Sequence, residues 1–385
     1  MRTDFLPFSK PTISEDAIAD VCDSIRSGWL AMGPKTVDFE KKFAEYTGAK
    51  FAISVNSATA GLHLAVMAVT QPGDEVITTP MTFASTVNAI IYAGAVPILA
   101  DIDPVTLNID PKKIAEKITS KTKAVIPVHF AGRPCNMDAI EKIAQEHNLA
   151  IIEDSAHALG ASYHGKKIGS GKGPRRIAVF SFHPTKNITT GEGGMITTDD
   201  EKAADQMSVQ RQNGMDKGAW NRFGAKGKSH YDIFIPGLKY QMMDIQAAIG
   251  RDQLKYLEKF NKRRTEIIEK YNTAFAGIDG LTLPAPIEKG CVHSWHIYTP
   301  LLDSKKLGFT RDEFMEKMKE YNIGTAYHYQ ALHLFSGYAK ITGLKKGDMP
   351  VAEEIGEKIV SLPLFPAMTN EDITDVIEAV TNICK

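Results

Sequence analysis

The 385 residues exceed what one hydrophobic core usually serves, and about 150 residues per domain predicts two or three units. Forty-five basic residues against 46 acidic ones leave a net charge of -1, which argues against the basic surface that phosphate-backbone binding demands, and so against a nucleic-acid partner. Hydrophobic residues at 43% and charged residues at 24% are ordinary globular values and disfavour disordered, collagen-like and coiled-coil architectures. The weakly polar stretch 84–102 is broken by Ser, Asn and Gly and runs into Asp101 and Asp103, so no membrane span is expected. The opening MRTDFLPFSKP carries an acid and a proline where a signal peptide needs an apolar run, and a cytoplasmic location is expected. Cys22, Cys135, Cys291 and Cys384 form no CxxC pair, as suits reduced thiols.

In chain order, seven short apolar runs predict strands: FAISV (51–55), EVITT (75–79), VPILAD (96–101), AVIPVHF (124–130), AIIED (150–154), IAVFSF (177–182) and GMITT (194–198). Most are continuously apolar, as expected when helices cover both faces of a largely parallel sheet, and the class is α/β. Helical spacing follows the first strand in ATAGLHLAVMAV, the second in TFASTVNAIIYAG and the fourth in MDAIEKIAQEHN. From Gln241 to about Phe275 the pattern becomes one long amphipathic helix, expected to link two domains. A smaller α/β segment then predicts a strand at SWHIYTPLL, a helix after Thr310, a strand near GTAYHY and a last helix opened by Thr369. The division expected is a large domain over 1–250 and a small C-terminal α/β domain over 251–385.

Several motifs suggest chemistry that the context does not support. The run from Gly160 to Lys166 has Walker A spacing, but Lys167 stands where Mg²⁺ binding needs Ser or Thr, and no long helix follows. Cys291, His293 and His296 could be drawn as metal ligands. Strand alternation would place the two histidines on opposite faces and no fourth ligand is near, so a structural role is expected. The first strand lacks a following GxGxxG, which removes support for a dinucleotide enzyme. The basic run KKIGSGKGPRR (166–176) reads as a solvated loop, with an anionic substrate as the alternative.

A more telling constellation lies at the sheet's carboxyl edge, where open α/β sheets bind ligands. The fifth strand ends in Glu153-Asp154, and just beyond the sixth comes Ser181-Phe182-His183-Pro184-Thr185-Lys186. A lysine there can form an imine with an aldehyde cofactor, and an acid at the neighbouring strand end can keep a pyridinium nitrogen protonated. Those two roles define a pyridoxal phosphate site. The turn Asn56-Ser57-Ala58-Thr59-Ala60-Gly61 offers hydroxyls and free N–H groups at a helix N-terminus as a phosphate cradle, although Ser57 could equally be a plain helix cap.

The blocks FSFHPTKNITTGEGGMITTD, EDSAHALGA, SVNSATAGLHLA, FLPFSKP and SGWLAMGPK resemble the DegT/StrS family of nucleotide-sugar aminotransferases, which have the aspartate aminotransferase fold, or fold type I. The resemblance covers residues from about 5 to 380. It implies pyridoxal 5'-phosphate bound covalently to Lys186, with Asp154 on the pyridinium nitrogen and His157 near the ring hydroxyl. It also implies Phe83 stacked on the ring, and Ser57, Ala58, Thr59 and Ser181 around the phosphate. A homodimer is implied, each site completed by the neighbour's 237–243 loop, where Gln241 stands in place of the family's usual Asn. The residues GKGPRR lengthen the loop before the sixth strand.

Family members that act as dehydratases have His in place of the lysine, so Lys186 implies transamination, with L-glutamate as donor and a nucleotide-linked keto sugar as acceptor. The competing readings are a fold type I transaminase for simple amines or ketones, and an idle sheet protein that senses a nucleotide or sugar.

Overall fold

The computed structural model describes residues 2–173, 175–216 and 231–385. Two N-terminal helices that the hydrophobic pattern does not announce, α1 (Glu15–Ser27) and α2 (Pro34–Thr47), precede the sheet. Each is delimited locally: Ser14 caps α1 by accepting from the Ala17 N–H, and Gly28 and Gly48 end the two helices in the left-handed region. Strand and helix then alternate through β1 (Phe51–Val55), α3 (Ala58–Val69), β2 (Glu75–Thr78), α4 (Ala84–Tyr92), β3 (Val96–Leu99), α5 (Pro111–Lys117), β4 (Thr122–Ile126), α6 (Met137–Glu146) and β5 (Ala150–Asp154). A small hairpin of β6 (Ser162–Tyr163) and β7 (Lys166–Lys167) leads to β8 (Arg176–Ser181), β9 (Gly194–Thr198) and α7 (Glu201–Gln210).

The seven expected strands form one sheet in the order β1-β9-β8-β5-β4-β2-β3. Pairings from β8 through β5, β4 and β2 to β3 are parallel, and β9 runs antiparallel to both β8 and β1. Apolar residues pack both faces, Leu62, Val66, Ile126 and Val179 on one and Ile77, Val125, Ile140 and Ile151 on the other, which explains the unbroken apolar runs. Helix α3 lies close on the sheet because position 61 is glycine. A Cβ there would meet Val179 Cγ1 at 2.7 Å and Val55 Cγ2 at 3.3 Å.

Helix α8 (Asp244–Phe275) ends where the periodicity predicts and starts three residues after Gln241. The buried Asp244 carboxylate accepts from Lys35 N (3.1 Å), Thr36 N (2.9 Å) and Thr36 Oγ1 (2.6 Å), fastening α8 to the first turn of α2. The expected boundary at residue 250 falls inside this helix. Farther along it, Ile267, Tyr271 and Phe275 join a second core with Phe314, Leu362, Ile373 and Val376.

The C-terminal segment contains β10 (Leu281–Thr282), β11 (Leu301–Leu302), α9 (Ser304–Leu307), α10 (Arg311–Glu320), α11 (Ser336–Thr342), α12 (Pro350–Lys358) and α13 (Asn370–Cys384). Thr310 and Thr369 cap α10 and α13 with reciprocal capping boxes, as their positions predict. The two expected strands are corrected. SWHIYTPLL is strand only at Leu301–Leu302, and GTAYHY makes a single bridge, Ala326 with Ser361. Between 294 and 298 the backbone bonds go elsewhere: Ser294 N donates to Gly132 O (3.1 Å) and His296 N to Ala131 O (3.0 Å), around a left-handed Trp295 with φ 47°. Among the described residues, no helix is long and apolar enough to cross a membrane.

Candidate active site

Successive side chains of a strand point to opposite faces, and β5 uses this to separate two acids. Glu153, wholly buried, accepts from Arg176 Nε (2.7 Å) and lies 2.8 Å from His129 Nε2. Burial alone would raise its pKa, but Arg176 and His129 outweigh that and hold it down at about 2. Asp154 faces the other way. Its Oδ2 accepts from Thr86 Oγ1 (2.7 Å), itself 2.7 Å from Thr82 Oγ1, and its Oδ1 accepts from Ala156 N (3.2 Å). Burial raises the Asp154 pKa, while these hydrogen bonds and the nearby Lys186 counter it.

Lys186 follows β8 on a turn closed by its own N–H donating to His183 O (2.9 Å). Burial lowers its pKa from 10.5 to about 8, with Asp154 opposing the shift. The side chain keeps partial exposure because it faces a cavity. The next residue is anchored: Asn187 Nδ2 donates to Asn261 Oδ1 (2.7 Å) and Ser294 O (2.8 Å).

That cavity, about 920 Å³, is also lined by Asp154, His157, Phe83, Ser57, Ala58, Thr59 and Ser181, so eight of the nine residues singled out in the sequence converge. Ser57 is the cap of α3, its Oγ accepting from Ala60 N at 3.1 Å, yet it also lines the cavity, so capping and a ligand role are compatible. His157 is buried, accepts at Nδ1 from Ala131 N (3.3 Å), and has Nε2 3.2 Å from Tyr329 Oη. Burial first, then Lys186 and His328, press its pKa well below the ordinary range, so it is neutral. Phe83 is 63% exposed, with its ring 6.4 Å from that of Tyr329.

Gln241 does not line this cavity. Its amide fits best with the nitrogen facing Arg211 O (3.2 Å) and the oxygen facing Lys239 Nζ (2.6 Å). The adjoining Tyr240 O accepts from Asn56 N (2.7 Å), which lays this loop beside the α3 turn of its own chain.

Other motifs resolve into structure. In the basic run, Lys167 pairs with Glu258 (3.0 Å) and lies over the Tyr46 ring. Arg175 donates to Asn148 O (2.8 Å) and Arg176 serves Glu153, while Pro174 is outside the described residues. Gly160 and Gly165 are left-handed turn residues around the β6–β7 hairpin. No His, Cys, Asp and Glu cluster among the described residues suits a metal ion.

His296 is the residue that sequence reasoning set aside. Its Nε2 lies 3.4 Å from Lys186 Nζ, and its ring centroid is 4.3 Å from that of His157. The alternation argument assumed a strand where the chain forms none. Thr86, His328 and Tyr329 carried no sequence signal.

The donor set fits pyridoxal phosphate. A dehydrated amine, a buried carboxylate with spare acceptor capacity, and hydroxyls beside the N-terminus of a 12-residue helix are what an aldehyde, a pyridinium N–H and a phosphate dianion require. Known proteins give the same answer. The chain is 49% identical over 386 residues to the spore coat polysaccharide biosynthesis protein SpsC of Bacillus subtilis, covering 100% of this chain and 98% of that one. It superposes on Helicobacter pylori PseC, an aminotransferase in pseudoaminic acid biosynthesis, with TM-score 0.90 and 27% identity over 99% of both chains. With the PLP form of Spr1654 from Streptococcus pneumoniae, described as a sugar aminotransferase, the TM-score is 0.89 at 31% identity over 99% of this chain and 98% of that one. Residues 11–381 match the DegT/DnrJ/EryC1/StrS aminotransferase family, to which the chain belongs as a PLP-dependent aminotransferase of fold type I.

Proposed function

We propose that this enzyme transfers an amino group from L-glutamate to a nucleotide-linked keto sugar, with the ketone at C4, and that it works in the cytoplasm as a homodimer with shared sites. The observation carrying the proposal is a lysine with its pKa lowered to about 8, in a cavity with a buried acid and room for a second molecule. At about 920 Å³ the cavity is at the upper end of the roughly 300–1,000 Å³ of small-molecule sites. A sugar acceptor accords with the names of the relatives, and a role in polysaccharide synthesis with that of the Bacillus protein. The block SFHPTKNIT resembles that of UDP-4-amino-4-deoxy-L-arabinose aminotransferase, which puts UDP-linked sugars first in a screen.

Pyridoxal phosphate supplies an electron sink for negative charge at the carbon that bears the amine. The chain does the rest. Ser57, Thr59 and Ser181 hydroxyls and the first-turn N–H groups of α3 would hold the phosphate, with Phe83 against the ring. Asp154 would hold the ring N–H, and His157 would meet the ring hydroxyl. Lys186 Nζ, partly neutral near pH 7–8, would take a proton from the substrate carbon and return it on the other side of the amine. The anchored Asn187 fixes where that base stands.

The test has two parts. Borohydride reduction and peptide mapping should place the label on Lys186, and label on another lysine would overturn the assignment. In the half-reactions, glutamate should bleach the visible cofactor band, and one of the UDP-, GDP- or dTDP-linked keto sugars should restore it. Restoration by simple ketones alone would refute the sugar acceptor.

A further inference from the structure

His296 is 3% exposed and has no strand or helix to explain its orientation. Its Nε2 lies 3.4 Å from Lys186 Nζ, while its Nδ1 is buried with no hydrogen-bond partner. Buried polar atoms left unpaired are rare in folded chains, and one kept beside a reactive amine asks for a reason. His157 does not supply the missing partner, since Ala131 N and Tyr329 Oη occupy its two nitrogens.

Both sides of the Lys186–His296 contact are tied to one turn of α8. Asn261 Oδ1 accepts from Asn187, the residue after the lysine, at 2.7 Å. Arg264 Nη1, one turn along the same face, donates to the carbonyls of His296 (3.0 Å) and Leu364 (2.9 Å). Asn187 also donates to Ser294 O (2.8 Å), closing the frame between the lysine turn and the 294–296 segment. A lysine side chain is flexible, and a contact held from both ends costs it less ordering entropy when it forms.

We propose that His296 is a positioning residue for Lys186: its neutral Nε2 accepts a hydrogen bond from Nζ and parks the amine whenever that amine is not covalently engaged. An ammonium only donates, so Nε2 must present its lone pair and the proton must sit on Nδ1. The imidazole stays neutral because burial, then the cations and rings around it, disfavour its charge: Lys186, His157, Arg264 and His328. The groups facing the pair are Asp154 from β5, His157 and His183 from loops, Arg264 from α8, and His328 and Tyr329 from the segment before α11. Arg264 and Asp154 are charged at neutral pH, whereas the three other histidines and Tyr329 are not.

The inference rests on Lys186 being the cofactor lysine, and the test separates the two. Full-length protein freed of cofactor is mixed with pyridoxal phosphate at a series of pH values. Nζ attacks the aldehyde carbon and water leaves, so the rate of appearance of the visible band follows the fraction of unprotonated amine. If no band forms on Lys186 in the wild type, the cofactor assignment falls. If it forms, its rate midpoint reports the lysine. An acceptor stabilises ammonium, so His296→Leu should lower the midpoint by roughly one pH unit, and His296→Gln, whose amide oxygen can accept, should restore most of it. His296→Asn, polar but too short to reach Nζ, should behave like Leu and serves if the Leu variant fails to fold. A midpoint unmoved in folded Leu or Asn variants, a rise in either, or a fall that Gln does not repair would overturn the proposal.

Discussion

Asp154 and Glu153 are chain neighbours with opposite duties, and the difference is set by what each face of β5 offers. Glu153 is paired with the Arg176 guanidinium and hydrogen-bonded to His129, whereas Asp154 receives only neutral hydrogen-bond donors and keeps its charge for the cavity. Asp154→Asn should therefore fold and bind some cofactor but lose roughly 10²–10³-fold in kcat, the usual cost of deleting one preorganised electrostatic contact. Wild-type turnover in that variant would remove the role. Lys186 makes a second, cofactor-free prediction. Its folded pKa is lowered from 10.5 to about 8, so the folded state carries the full penalty of a buried ammonium below pH 8 and none above pH 10.5. In the apo-protein, Lys186→Met should raise the denaturation midpoint at pH 7, with the gain fading as pH climbs from 8 to 10.5. A gain independent of pH would point to packing instead. Both residues were legible in the sequence because they stand at or just beyond apolar runs, Asp154 at the end of β5 and Lys186 on the turn after β8. His296 was not, because Trp295 turns left-handed just before it and cancels the strand alternation used to judge it.

At the scale of elements, α3 ties packing to ligand binding. Its glycine brings the helix down onto β1, β8 and β9, and the same approach sets the N-terminal turn at the cavity. An alanine at position 61 would gain about 1 kcal/mol of helix propensity but lose about 1–3 kcal/mol to overpacking against Val179. Gly61→Ala should lower stability in urea and weaken PLP binding together; unchanged values for both would show that the helix has slack. The sheet and the helices α3, α4, α6 and α8 could be read from periodicity because their burial is one-sided or complete. Helices α1 and α2 escaped notice because few of their residues are buried and their definition comes from caps and from Asp244, 208 residues beyond Thr36. The expected strand at 294–302 survives only at Leu301–Leu302, because Ser294 and His296 donate to the loop at 131–132 instead, and that near 324–329 shrinks to one bridge.

For the whole molecule, the 237–243 loop is the place where one chain could complete another. Within its own chain it is fastened beside the α3 turn through Asn56, yet Gln241 stays out of the cavity. If the sites are shared in a homodimer, inactive Lys186→Ala and a variant disrupted at 239–243 should complement when dissociated and reassembled. Random pairing leaves half the dimers hybrid with one intact site each, so recovery should reach about a quarter of wild-type activity. No recovery from two well-folded variants, or full activity in a monomer, would exclude the shared site.

The cavity's lining comes from distant stretches of chain. Ser57, Asp154 and Lys186 lie at or just beyond strand ends, while Tyr327, His328, Phe335 and Tyr338, which also line the cavity, come from the C-terminal segment. That segment rests on an apolar cluster in which Leu332, Met349 and Ile355 meet Met81, Val87 and Phe130. Heredity can thus alter parts of the cavity at different rates: mutations at Phe335 and Tyr338 can retune which acceptor is admitted, whereas Tyr329, within hydrogen-bond reach of His157, stays with the chemical apparatus. A single reaction can in this way be inherited intact by descendants that serve different sugars.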